Sequence, residues 1–145
     1  MSQPVELRDV LPTFLEAART EPARPIDGRS MLSLVKSGGA GWREFIDLEH
    51  NICYSPDNHW NALTDGRWKY IFHAKDGEEQ LFNLEKDPHE ALDLSGDGEH
   101  AGELRRWRGR LIAHFEERGE PFLKNGNLGL RPEGMMTSPL FPAKS

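Results

Sequence analysis

Two short alternating runs, residues 60–64 and 67–73, are separated only by Asp65-Gly66, and no other feature constrains the fold of this chain as strongly. An Asp-Gly pair between strand-like runs suits a two-residue type I′ turn, whose twist matches that of paired strands. Along the second run Trp68, Tyr70 and Phe72 alternate with Lys69, Ile71 and His73, as a sheet with two distinct faces requires. A second Asp-Gly pair, Asp76-Gly77, leads into residues 80–84. Upstream, residues 43–50 alternate imperfectly, with Ile46 and Leu48 on one face. The pattern predicts an antiparallel meander of three to four strands, interrupted at 51–59 by a loop containing Pro56.

Residues 101–118 carry a helical period instead. Leu104, Trp107, Leu111, Ile112 and Phe115 fall on one face, and Arg108 can lay its stem along it. Residues 5–19 show a second apolar stripe, Leu7, Val10, Leu11, Phe14, Leu15 and Ala18, at spacings of three and four. Pro12 is harmless only in the first helical turn, which places the N-cap at Asp9. Residues 21–25 stop that helix, and Asp27-Gly28 marks a turn. A small apolar cluster follows (Met31, Leu32, Leu34, Val35), then a glycine-rich break at 37–41. Beyond Gly119 no period persists, and the segment reads as an extended tail that leans on a partner surface. The fold class is therefore α+β: a small antiparallel sheet of three to four strands covered by a C-terminal helix and preceded by another helix. One covering helix leaves the second sheet face, and the N-terminal helix, in need of something to pack on.

Composition narrows the function. The 145 residues suffice for one modest domain; 37% are hydrophobic and 29% charged, with ten prolines and fourteen glycines, so elements should be short and the core lean. A net charge of −6 argues against a nucleic-acid partner, and the basic run at Arg105, Arg106, Arg108 and Arg110 reads as a solvated helix face. The single cysteine, Cys53, excludes an internal disulfide and any CxxC motif. No apolar run is long enough to cross a membrane, so no membrane partner is expected, and the polar N-terminus shows no secretory signal.

Several short motifs then occur in a telling order. Asp9-Val10-Leu11-Pro12-Thr13-Phe14-Leu15 resembles a helix opening found late in the alkaline-phosphatase-like domain of sulfatases. The stretch from Pro25 through Asp27-Gly28 to Leu34 is similar to the segment that follows it there. Trp42-Arg43-Glu44 and Glu49-His50 resemble the next strand. Thr64-Asp65-Gly66-Arg67-Trp68-Lys69-Tyr70-Ile71 and Glu79-Gln80-Leu81-Phe82-Asn83-Leu84, ending in Asp87-Pro88-His89-Glu90, resemble the family's C-terminal sheet and its Asp-Pro-x-Glu turn. The match spans about residues 7–118.

This resemblance implies that residues 1–41 are the end of the large N-terminal sulfatase domain (helix plus connector). Residues 42–118 would be the C-terminal subdomain, and 119–145 an extended tail. It implies sulfate-ester hydrolysis in the complete enzyme, through a hydrated formylglycine made from Cys or Ser in a Cys/Ser-x-Pro/Ala-x-Arg motif, with a divalent metal, usually calcium, held by Asp and Asn oxygens. Those parts precede Asp9 in the family, so no cofactor is expected in this chain, and its principal partner would be the missing N-terminal domain. Cys53-Tyr54-Ser55-Pro56-Asp57 does not match the formylglycine motif.

The resemblance also places the loop after Glu49 near the substrate cleft, as a rim. His50, Asn51, His59, Trp60 and Lys69 are the candidate substrate-binding residues: imidazole, amide and ammonium donors suit sulfate oxygens, and an aromatic face suits a ring. Against this stands packing of the same side chains beside the sheet. His50, Cys53 and His59 could be drawn as a zinc set, but three ligands on one loop without a second cluster make a thin signal. Three functions remain in view: a sulfatase C-terminal fragment forming one wall of the cleft and silent alone, a stand-alone binding module derived from a sulfatase, or an independent enzyme centred on His50 and His59. The first expects exposed apolar residues on both the N-terminal helix and the bare sheet face; the second expects a polar outer face on that helix and a stable, cooperatively folding monomer.

Overall fold

A computed structural model describes residues 3–51 and 56–132, so Cys53 and the segment 133–145 lie outside the described residues. The chain divides into two compact units, Met1–Ile46 and Asp47–Ser145.

In the first unit a short turn at Leu7–Asp9 leads into helix α1 (Val10–Ala17), with Pro12 in its first turn as the proline rule requires. Asp9 stands at the N-cap position of α1, yet its carboxylate makes no capping bond to that helix and instead closes a capping box with Glu6 on the preceding turn. It is wholly buried and accepts from the backbone N–H groups of Glu6 (3.0 Å) and Arg29 (2.8 Å) and from the guanidinium of Arg43. The expected cap is thus diverted into a long-range clamp, because a buried carboxylate must satisfy several lone pairs at once. Thr13 extends the tie: its hydroxyl donates to the Asp9 carbonyl (2.6 Å) and accepts from the Met31 N–H (2.9 Å). The apolar cluster after Met31 is a short helix, α2 (Leu32–Ser37), closed by Gly38 in the left-handed conformation. No residue of α1 is buried; Leu7, Leu11 and Phe14 are 90%, 53% and 68% exposed.

The second unit is built on a four-stranded sheet in the order β1 (Ile46–His50), β2 (Trp60–Thr64), β3 (Trp68–His73) and β4 (Glu79–Asn83). The pairings β2–β3 and β3–β4 are antiparallel, with Ala62 opposite Ile71 and Tyr70 opposite Leu81. The first hairpin departs from the type I′ expectation. The Asp65 N–H bonds to the Trp68 carbonyl, which centres the loop on Gly66-Arg67, and Gly66 (φ +85°) is left-handed while Arg67 is not. A type I′ turn needs both central residues left-handed. The Asp65 carboxylate instead accepts from the N–H groups of Arg67 (2.9 Å) and Trp68 (2.7 Å), holding the turn from its side chain.

The register assigns the faces. Asn61, Leu63, Tyr70, Phe72, Leu81 and Glu79 share one face, which α3 (Ala101–Phe115) covers. Trp107, Leu111 and Phe115 of α3 and Leu63, Tyr70 and Leu81 of the sheet are all buried to within 1% of complete. Each such large apolar side chain contributes about 2 kcal/mol by leaving water. Arg108 crosses to the sheet and donates to both oxygens of Glu79 (2.6 and 2.5 Å), and the same carboxylate accepts from the Tyr70 hydroxyl. The opposite face is not bare, contrary to expectation: Ala62, Ile71 and Phe82 are buried there with Leu48, Trp60 and Leu84 packed around them.

Two further features come from the chain after β4. The outer edge of β4 is covered, since Leu81 donates to the Asp93 carboxylate and its carbonyl accepts from Leu94. Residues 119–132 turn back on the unit instead of running extended. They form a two-stranded hairpin, β5 (Leu123–Lys124) and β6 (Asn127–Leu128), and then Arg131, which donates its N–H to the Ala74 carbonyl and is 8% exposed.

Candidate functional site

The five candidate residues do not form one cluster. His50, at the end of β1, stacks on Trp60, at the start of β2, with ring centroids 5.6 Å apart and planes 21° from parallel. Its Nδ1 lies 2.7 Å from the Asn58 carbonyl oxygen. Asn51 is exposed beside this pair. Trp60 and Lys69 share the sheet face away from α3, because Trp60 opposes His73 and Lys69 opposes Thr64 in the same alternation. Lys69 is ion-paired there with Glu90 at 2.7 Å. Glu90 adopts a left-handed backbone (φ +54°) in the Asp-Pro-His-Glu turn, so this motif delivers its carboxylate to the sheet.

His59 is on the other side. Its carbonyl accepts from Ala74, continuing the β2–β3 ladder, and its ring is buried (6% exposed) with Nδ1 donating to the Arg131 carbonyl at 3.1 Å. Burial, and then the charge of Arg131, hold the His59 pKa below the ordinary histidine range. One residue of register therefore separates His59 from Trp60, and the pleat turns them to opposite faces.

Arg131 was not singled out by any motif or period, yet it organises this corner. Its guanidinium donates to the Asn61 side chain and to the Gly129 carbonyl, and it lies 4.3 Å from the Phe122 ring centroid. Arg118 lies over the same ring at 3.5 Å and pairs with Glu49 at 2.8 Å. Burial and Arg118 push the Arg131 pKa down while Glu49 opposes them.

Among the described residues no group of three or more His, Cys, Asp or Glu side chains could hold a metal ion. His50 and His59 are held by different partners, His50 by the Asn58 carbonyl and the Trp60 ring and His59 by the Arg131 carbonyl.

The described fold of the second unit is a small antiparallel sheet with a helix on one face, edged by an Asp-Pro-x-Glu turn. No family model matches the chain. An arylsulfatase of Clostridium perfringens is 32% identical over 124 residues, covering 86% of this chain and 25% of that protein. A 2-O GAG sulfatase structure aligns over 80% of this chain and 26% of its own, at 22% identity and a TM-score of 0.65. The phosphonate monoester hydrolase of Silicibacter pomeroyi aligns over 90% of this chain and 29% of its own, at 20% identity and a TM-score of 0.64. The chain is homologous to sulfatases of the alkaline-phosphatase-like superfamily and corresponds to a C-terminal portion of them. It spans between 18% and 25% of the length of the curated relatives it matches.

Proposed function

We propose that this chain serves as the C-terminal portion of a sulfatase, contributing one wall of the substrate cleft and turning over no ester by itself. The observation that carries this reading is the uncovered stripe on the first unit. Leu7, Leu11 and Phe14 recur at i, i+4 and i+7, and all three are exposed. Burying them against the rest of an enzyme would contribute about 2 kcal/mol each. The His50–Trp60 stack, with Asn51 beside it, supplies the rim of the wall. Formylglycine and calcium would come from the remaining domain, which is the partner of this chain, and a sulfate ester would be the substrate of the assembled enzyme.

Two assays test this. The purified chain is mixed with a chromogenic aryl sulfate and calcium, and turnover should not exceed background. The chain is also grafted in place of the matching portion of the Clostridium perfringens arylsulfatase. The graft should be active, and His50→Ala and Trp60→Ala should raise its KM more than they lower kcat. Turnover by the isolated chain, lost on His50→Ala, would overturn the silence; a graft indifferent to Trp60→Ala would overturn the wall.

The second unit buries both sheet faces and folds residues 119–132 back on itself. That packing supports a second reading, a stand-alone binding module derived from a sulfatase, which predicts a monomer unfolding in one cooperative step.

A further inference from the structure

We propose that residues 119–132 form an acid-released strap, whose Arg131 end leaves the sheet when His59 takes up a proton, while the four strands and α3 stay folded. This device is separate from the cleft-wall role proposed above and needs no substrate.

The strap is held mainly by polar groups that meet at Arg131. Its backbone N–H donates to the Ala74 carbonyl at 2.5 Å, and its carbonyl accepts from His59 Nδ1 at 3.1 Å. Its guanidinium donates to the Asn61 side chain and to the Gly129 carbonyl. The apolar anchor is Phe122, which both the Arg118 and Arg131 guanidinia contact and which lies 5.0 Å from the Phe115 ring. Leu130, beside the latch, is 55% exposed. No carboxylate of the described residues is paired with Arg131, and its buried Nε has no partner among them. A buried cation in this condition is costly, and opening the strap returns it to water.

His59 is the group that tips this balance. The charges acting on it are Arg131 from the strap and Glu49 from β1, and Glu49 is already engaged by Arg118 from the end of α3 at 2.8 Å. A backbone carbonyl can only accept, so Nδ1 carries the proton of the neutral ring and acid must protonate Nε2. The hydrogen bond to Arg131 survives that step. What changes is the charge: a second cation then shares the buried corner, and detachment relieves both its desolvation and its repulsion by Arg131. Burial and Arg131 hold the closed-state pKa of His59 below 6.5, so opening becomes easier as pH falls.

The test follows amide hydrogen exchange in the full 145-residue chain, labelled with nitrogen-15, from about pH 7 to about pH 5, above the ordinary carboxylate range. The Arg131 N–H reports the strap. The Leu84 N–H, which donates to the Arg67 carbonyl at 2.8 Å, reports the opposite end of the sheet. Below 6.5 the protection of Arg131 should fall by up to about tenfold per pH unit, with Leu84 unchanged. His59→Asn keeps an N–H donor near the Nδ1 position and does not titrate, so it should flatten the Arg131 profile. Constant protection at Arg131 in the unsubstituted chain, a parallel fall at Leu84, or an undiminished fall in His59→Asn would each overturn the proposal. The first two outcomes are read without the variant and decide the matter even if it folds poorly.

Discussion

Asp9 and Arg43 stand 34 residues apart and meet as a two-pronged ion pair, Nη1 to Oδ2 at 2.5 Å and Nη2 to Oδ1 at 2.7 Å. Asp9 has no exposed surface, and the Arg43 side chain is 14% exposed. Burial works to raise the Asp9 pKa, but the guanidinium and the two backbone N–H donors outweigh it and bring it down from 3.8 to about 2. The pair closes the first unit around residues that follow one another only distantly in sequence.

An acid transition in the first unit follows. A carboxylate whose pKa is lowered by folding contributes its full stability above the unfolded value and loses it as pH falls through the folded value. For Asp9 that window runs from about pH 4 down to about 2. The indole N–H of Trp42, which donates to the Pro4 carbonyl at 2.8 Å, is the reporter: its resonance should shift across that window. Asp9→Asn should abolish the transition and destabilise the unit at neutral pH by about 3 kcal/mol, because Arg43 keeps its charge and loses its main partner. An unaltered acid profile in Asp9→Asn would count against the clamp.

Glycine replacements should separate turn strain from collision. At Gly28 (φ +94°) an added Cβ would lie 2.2 Å from the Arg8 carbonyl oxygen, so the backbone would have to move away from Asp9. At Gly66 (φ +85°) nothing lies within 4 Å of an added Cβ. Gly66→Ala should cost about 1–2 kcal/mol, the left-handed penalty alone, and Gly28→Ala distinctly more. Equal losses of melting stability would contradict this.

The tyrosine on the helix-covered sheet face should resist ionisation. Burial and the Glu79 carboxylate both raise the Tyr70 pKa well above its usual value. A raised pKa means that the stabilisation is complete below the unfolded value near 10 and is lost as pH climbs beyond it. In a Tyr54→Phe background, phenolate absorbance should therefore appear only with alkaline unfolding. Glu79→Gln should cost about 2–3 kcal/mol, since it removes the carboxylate that Arg108 and Tyr70 share.

His59 titrates in the opposite sense. Its pKa is lowered by burial first and by Arg131 second, so the fold prefers the neutral ring. Its contribution is present above the ordinary histidine value of 6.5 and is lost as pH drops below it. Ring resonances of His59 should remain those of the neutral form somewhat below that value. Protonation at or above it would remove His59 from the buried corner described here.

How much of this was legible beforehand differs by element. β2 occupies residues 60–64 as its alternation implied, and α3 shows the buried triad Trp107, Leu111 and Phe115 on the stripe read from its period. The turns were less legible. Asp65-Gly66 looked like a type I′ pair and is not one. Asn125-Gly126 carried the stronger signal for such a turn and went unread; there both residues are left-handed (φ +52° and +75°), joining β5 to β6. The candidate rim was legible as a set of residue types but not as a place. His59 and Trp60 are adjacent in sequence, and the pleat sends one under Arg131 and the other to the face with Lys69.

The sequence by itself determined the local elements and the sulfatase resemblance, because strand alternation, helical spacing and turn residues act over a few positions. Only the tertiary structure decided which charged and polar groups would be buried together. Asp9 finds Arg43 across 34 residues, and His59 finds Arg131 across 72. Such pairings follow from desolvation: once packing excludes water from a carboxylate, guanidinium or imidazole, that group must be satisfied by whatever the closed chain brings within reach. No local period encodes that choice.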